Sequence, residues 1–201
     1  MTPTEYADCL RLRVAELRNN NKPLAIAATS MTAEMASRIF YRGEKTAGDK
    51  MGNYKSYPLY LDDNFIQSLP NISATRKGKN GESKFKNGEE HKTTYFDGWK
   101  GVRDEAGRQT AKVDLSFTGD MQSEFTNMRG VFDKPIGTAK PRKLDVNNYY
   151  VAWESLESRN KAGGAEKRYG EIFTPSAKEK QKYFYEVAEF ELGKLFSDCT
   201  K

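Results

Sequence analysis

Apolar residues recur at helical spacing over more than three turns only toward the two ends of this chain, and that placement decides what it can fold into. Near the start, Tyr6, Leu10, Val14 and Leu17 fall at three- and four-residue steps and predict a helix from Thr4 to Arg18, stopped by Asn19, Asn20 and Asn21. Pro23 suits the first turn of a second helix, where its missing N–H is not needed. Leu24, Ala28, Met31, Met35 and Ile39 stripe that helix down to Phe40. Its alanines and methionines read as core or helix-interface packing. Near the other end, Thr174 and Pro175 predict the N-cap and first position of a final helix. That helix carries Phe184, Val187, Ala188, Phe190, Leu192 and Leu195.

Between the ends the pattern changes. Gly43, Gly48 and Gly52 open a polar loop that closes at Tyr57 and Pro58, and Leu59 to Leu61 reads as a short extended segment. From Ile72 to Thr93 there is little to bury, so this stretch reads as a long mobile arm, with a basic insertion at about 73–92. Tyr95, Trp99, Val102 and Ala106 predict a short helix ending near Gly107. Val113, Leu115 and Phe117 alternate with Asp114 and Ser116, the period of a half-buried strand. Asp120 to Met128 is compatible with a helical turn continuing as a strand, but its periodicity does not decide, and Val131 to Ile136 reads as a further strand. Tyr149, Ala152, Trp153 and Leu156 predict a short amphipathic helix, broken at Gly163 and Gly164. The sum is an α+β fold in a single domain over residues 1–201, with a small, mainly antiparallel sheet packed by N-terminal and C-terminal helices and long polar loops.

No run of about 18 apolar residues exists, which argues against a membrane span, and Met1 to Arg13 lacks the apolar core of a secretory signal. A cytosolic site of synthesis, with Cys9 and Cys199 reduced, is the expectation. Hydrophobic residues make up 37% of the chain and aromatics 12%, too many aromatics for a disordered polyelectrolyte. The net charge of +5 is localised: Arg76–Lys92 carries +3 and Lys134–Lys143 carries +4, leaving the rest of the chain at −2. Two basic loops on a slightly acidic body fit either phosphate contacts or an acidic protein partner.

Residue sets for catalysis are not found. The single His91 has no neighbouring Cys or His, so no zinc site is expected. Gly43 and Gly48 have the spacing of a phosphate-binding loop, but Asp49, Lys50 and Met51 stand where Lys and then Ser or Thr are required. The paired carboxylates read as solvated, with none isolated in an apolar setting that would raise its pKa. The expectation is a non-enzyme with no cofactor and no metal. The aromatic clusters Tyr95, Phe96, Trp99 and Tyr149, Tyr150, Trp153 read as core or subunit-interface packing rather than base-stacking platforms.

The order of elements resembles a known kind of protein. An Ala-rich helix ends at Arg38, Ile39, Phe40, followed by Gly52, Asn53, Tyr54 and then Pro58, Leu59, Tyr60. Gly107, Arg108, Gln109, Thr110 leads into Val113 through Met121, containing Leu115, Thr118 and Gly119. Leu156, Glu157, Arg168, Tyr169, Gly170, Ile172, Phe173 and Thr174 precede a last helix rich in Glu and Lys. From about Ala25 to Leu195 this resembles the virion morphogenesis (tail completion, head–tail joining) proteins of tailed bacteriophages, with the pattern nearest to podovirus-like phages of gut bacteria. The resemblance implies a structural subunit of the head–tail connector, or neck, located in the virion and assembled in the host cytoplasm. Its partners would be copies of itself in a hexameric or dodecameric ring, the portal or an adaptor ring, tail proteins, and the genome DNA passing through the lumen, with no membrane. Candidate contacts to subunits or partners are Arg42, Lys45, Lys50, Tyr54, Arg76, Lys77, Lys79, Lys84, Lys86, Lys140, Arg142 and Lys143. The alternative is a nucleic-acid-binding module using the basic loops 76–92 and 134–143, whose affinity would fall steeply with salt.

Overall fold

A computed structural model of the chain describes residues 2–19, 21–69, 72, 80–84, 90–115, 119–129, 149–153 and 155–200. The fold is α+β, with two small antiparallel sheets where one was expected. Helix α1 spans Pro3–Asn19, beginning at a proline, and Thr2 and Glu5 exchange side-chain-to-backbone hydrogen bonds at its start. Helix α2, Lys22–Ala36, is capped by the Asn21 side chain, which accepts from Leu24 N at 3.4 Å. It runs on into a π-helical turn, Ser37–Arg42, that ends at Gly43 with φ +66°. Only glycine fits there, because a Cβ would collide with the Val113 carbonyl.

Strand β1, Pro58–Asp62, leads into the short helix α3, Asp63–Gln67. Strands β2, Asn80–Lys84, and β3, Glu90–Asp97, complete a three-stranded sheet in the order β1-β3-β2. The expected mobile arm is thus in part an antiparallel hairpin; its segments 73–79 and 85–89 lie outside the described residues. A hairpin of polar residues escapes a search for apolar alternation, since its ladder is made by the backbone. Its register places Glu82 opposite Lys92 and Lys84 opposite Glu90.

Tyr95 and Phe96 belong to β3, and helix α4 starts later than the spacing predicts, at Gly98–Glu105. The expected strand at Val113–Phe117 is absent where it is described: residues 113–115 are irregular, and Leu115 is left-handed at φ +53°. The alternation fails because Asp114 points into protein and not into solvent. Helix α5, Asp120–Ser123, and strand β4, Thr126–Arg129, follow in a stretch whose periodicity does not decide. The predicted strand 131–136 and the basic loop 134–143 lie outside the described residues. Tyr149–Ala152 is strand β5, paired with β4, and not a helix. Helix α6, Leu156–Tyr169, then starts from the Ser155 cap and runs through Gly163 and Gly164 without a break.

Those two glycines weaken α6. A Cβ at either would meet no atom within 4 Å. Gly163→Ala is therefore expected to raise stability by about 0.5–1 kcal/mol, measured by chemical denaturation. A loss of stability would show that the site demands glycine.

The last helical run begins at Ser176, not at Thr174. Ser176 and Glu179 form a reciprocal capping box at α7, Ala177–Glu179, which continues through a π-helical stretch, Lys180–Tyr185, into α8, Glu186–Ser197. Helix α2 is the hub: α7, the π-helical stretch and α8 pack on it, and so do β4 and β5. The larger core gathers Met35, Ile39, Phe40, Val113, Met121, Phe125, Trp153, Ile172 and Phe173 around it. Trp153 is 2% exposed, stacks edge-on to Phe173 at 4.8 Å and donates from Nε1 to Met121 O at 2.9 Å. A second core of Ile66, Ile72, Phe96, Val102 and Ala106 sits between the three-stranded sheet and α3–α4.

The thiols are not reduced. Cys9 on α1 and Cys199, in a single 3-10 turn after α8, form a disulfide. Their separation in sequence concealed that α1 docks against α8 and that turn.

Candidate functional site

A solvent-open cavity of about 560 Å³ lies at the seam of the two cores. Loop residues Asn53 to Lys55, helix α3 and helix α4 wall one side, and Met121 and α6 wall the other. Its volume falls in the range of ordinary binding pockets, roughly 300–1,000 Å³. The apolar lining comes from Phe65, Leu69, Trp99, Leu115, Met121 and Tyr169. Gly98 makes the wall possible: it sits at φ +61°, where a Cβ would collide with the Lys55 carbonyl, so the loop and the start of α4 come together only there. Leu115, left-handed beside the cavity, is the one described non-glycine residue with positive φ.

Beneath the cavity is a buried polar knot. Arg103, whose side chain is 3% exposed, reaches from α4 to Asp114 with Nη2–Oδ1 at 3.0 Å and donates from Nε to Gln109 O at 2.8 Å. The Gln109 amide also donates to Asp114. Tyr54 Oη donates to Asp114 Oδ1 at 3.1 Å and accepts from Asp114 N at 3.3 Å, while the Arg103 guanidinium lies 4.5 Å from the Tyr54 ring centre. Burial, followed by the negative charge of Asp114, pushes the Tyr54 phenol up to about 12. Tyr54 thus stays a neutral donor, and the knot holds loop 53–55 against α4. Because the folded value lies above the ordinary one near 10, the stability Tyr54 contributes is whole below pH ~10 and is lost as pH rises through ~12. Replacing Asp114 with Asn is expected to move the Tyr54 titration toward lower pH, read by tyrosinate absorbance. An unmoved titration would show that burial alone sets it.

Cations frame the mouth. Lys161 is paired with Glu157 at 2.6 Å. Lys55 and Arg168 also line the cavity, and neither has a carboxylate partner among the described residues. Lys55 lies 5.4 Å from the Tyr57 ring and Arg168 5.4 Å from the Tyr169 ring, contacts that leave their charge available to an anion.

Of the candidate contacts read from the sequence, Tyr54 alone lines this cavity. Arg42 is braced internally, to Glu34 at 2.7 Å, Glu44 at 3.0 Å and Ser37 at 3.0 Å. Lys50 donates to Glu44 at 2.8 Å, and this bond, against the opposing effect of burial and with help from Arg42, holds the Glu44 carboxyl below its ordinary value. Lys45 is half-buried beside them. Lys84 ends β2. Arg76, Lys77, Lys79, Lys86, Lys140, Arg142 and Lys143 lie outside the described residues.

Lys55, Trp99, Arg103, Asp114, Lys161 and Arg168 are the site residues that sequence reasoning passed over. Asp114 is buried, 6% exposed next to Val113, where the alternation suggested a solvent face, but Arg103, Gln109 and Tyr54 hold it, so it is not an isolated carboxylate. A lone aspartate between Val113 and Leu115 was the available signal. Among the described residues no three His, Cys, Asp or Glu side chains gather as metal ligands, and no helix is long and apolar enough to cross a membrane.

Of the motif residues singled out in the sequence, Asn53, Tyr54, Leu115, Met121, Glu157, Arg168 and Tyr169 line this cavity. Gly119, at φ +91°, precedes α5, and Glu166 Oε1 accepts from Ile172 N at 3.2 Å and Phe173 N at 3.1 Å across the turn at Gly170. Comparisons with protein-family models, with curated proteins and with solved structures find no match to this chain.

Proposed function

We propose that this chain is a structural subunit of a phage head–tail connector, joining portal to tail in a ring of like copies through which DNA passes. The carrying observation is that one small chain pairs a solvent-open apolar cavity with large apolar side chains left exposed on separate elements: Leu12 on α1, Tyr60 on β1, Leu156 on α6 and Phe190 on α8. Scattered exposed apolar residues are ordinary, but a cavity lined by six large apolar side chains, with Phe65 and Trp99 partly exposed, belongs to a surface that is covered in use. A ring uses such surfaces in repeated heterologous contacts, each modest and all made together. The order of sequence motifs, which resembles that of tail-completion proteins, supports the same reading.

The test is to mix the protein with portal complexes and examine particles by negative stain and by mass. Rings or co-migration with the portal are expected. Absence of both, with tight DNA binding that weakens steeply as salt rises, would replace this reading with the nucleic-acid-binding one.

A further inference from the structure

We propose that the occupant of the cavity is helix α8 of a second copy, inserted with Phe190 as its anchor; this rests on the ring reading above and names one of its contacts. Phe190 is 62% exposed on the outer face of α8. Glu186 stands one turn before it and Glu189 beside it, both exposed and neither ion-paired among the described residues. Gly193, three residues on, is exposed too and leaves the ring unshielded on that side, while Lys194 lies 4.1 Å from the ring centre and is held by Glu191. The cavity offers the complement: aromatic and aliphatic walls at Trp99, Phe65 and Leu69, with Lys55 and Arg168 free of carboxylates at the mouth. With Glu157–Lys161 and Glu191–Lys194 each paired, an aromatic anchor with two carboxylates beside it, unpaired among the described residues, therefore meets an apolar hole with two likewise unpaired cations at its mouth, a match in sign.

The two surfaces sit on different elements. Helix α8 packs on α2 and α1, whereas the cavity is walled by α3, α4 and α6. The contact is accordingly head-to-tail, the kind that closes rings when the rotation permits. One helix face in one cavity buries less than the roughly 1,200–2,000 Å² of a standard interface, so the contact is weak between two free copies and gains strength when a ring makes every copy both donor and acceptor.

Two measurements on the full chain decide it. With p-benzoylphenylalanine in place of Phe190, irradiation of the purified protein is expected to yield crosslinked dimers and larger species, with the attachment mapped by mass spectrometry to residues 53–55, 65–69, 99 or 161–169. Attachment elsewhere, or none, overturns the contact. Separately, Phe190→Asp removes the anchor, and Gly164→Phe fills the hole from a helical position where a Cβ meets nothing within 4 Å. Each variant, with its fold checked by near-ultraviolet circular dichroism, is expected to fall from the wild-type assembly to monomer by light scattering. An equal mixture is expected to show a weak dimer whose fraction rises with concentration, and nothing larger, because one variant keeps its anchor and the other its hole. If both variants keep the wild-type mass, the contact is wrong and the ring reading stands. If the wild type forms no assembly either alone or with portal complexes, the ring reading falls and the contact with it.

Discussion

Replacing Arg38 with Leu is expected to cost about 3–5 kcal/mol, enough to remove much of a typical domain's stability. Arg38 sits in the π-helical turn after α2, and its side chain is 5% exposed, as is that of Glu179 opposite. Its Nε donates to Glu179 Oε1 at 2.7 Å, its Nη1 to Glu44 O at 3.1 Å, and its Nη2 to Ile172 O at 3.0 Å and Thr174 O at 3.1 Å. One guanidinium thus ties the hub helix to the loop after it and to the strap that leads into the last helical run. Leucine fills the volume but leaves a buried carboxylate and three carbonyls without this donor, and each lost partner carries a desolvation cost of roughly 1–3 kcal/mol.

A companion variant separates the parts. Adding Glu179→Leu to Arg38→Leu removes the uncompensated charge, so the double variant is expected to recover some of the loss. Recovery is incomplete, because the Glu44 and Ile172 carbonyls stay without the guanidinium, Thr174 O keeps only Thr46 Oγ1 at 2.9 Å, and the capping box at Ser176 loses its Glu179 arm. Urea unfolding of the three proteins provides the comparison. A loss below about 1 kcal/mol for Arg38→Leu would mean that water reaches those carbonyls and that the pair does not lock the strap.

What the sequence disclosed and what it concealed follow from the periods involved. Helices α1, α2 and α8 were legible because their apolar stripes persist over several turns, where a spacing of three and four has no strand equivalent. Tyr149 and Trp153, or Tyr95 and Trp99, lie four apart, and four is also a multiple of the strand period, so a short run at that spacing does not separate helix from strand. The strands were assigned in the structure by their partners, β4 for β5 and β1 for β3, which no local pattern names. Asp114 was misread for a related reason: an acidic residue between apolar ones suggests a solvent face, unless an Arg eleven residues earlier returns to it across a turn, as Arg103 does. Gly163 and Gly164 resemble a break, yet buried Ala162 and Ala165 on either side hold that part of α6 in place. The cavity was the least visible feature, since its walls come from segments as distant as Asn53 and Tyr169.

Reduction of the Cys9–Cys199 disulfide is expected to release α1 while leaving both cores assembled. None of the residues of α1 is buried. The ion pair from α1 to the C-terminal end, Arg13 to Asp198 at 3.4 Å, has partners with side chains 32% and 57% exposed, and such a pair is worth under about 1 kcal/mol. The disulfide, closing a span of 190 residues, is therefore the main attachment. Chain-entropy reasoning puts its ceiling near 5 kcal/mol. Part of that is forfeited because the reduced native state also gains freedom as α1 undocks, so a loss of about 2–5 kcal/mol in unfolding free energy is expected for Cys9→Ser. The sharper test is local. Cleavage between α1 and α2, near Asn19 to Lys22, is expected to leave both fragments together under oxidising conditions and to free the α1 peptide on adding reductant, with the near-ultraviolet signal of buried Trp153 retained. A reduced, nicked protein that still holds α1 would show that its half-buried face, with Leu10 and Leu17, is bound by more than this staple. The attachment of α1 thus follows the thiol–disulfide poise of its surroundings, whereas the cavity and the hub around α2 do not depend on it.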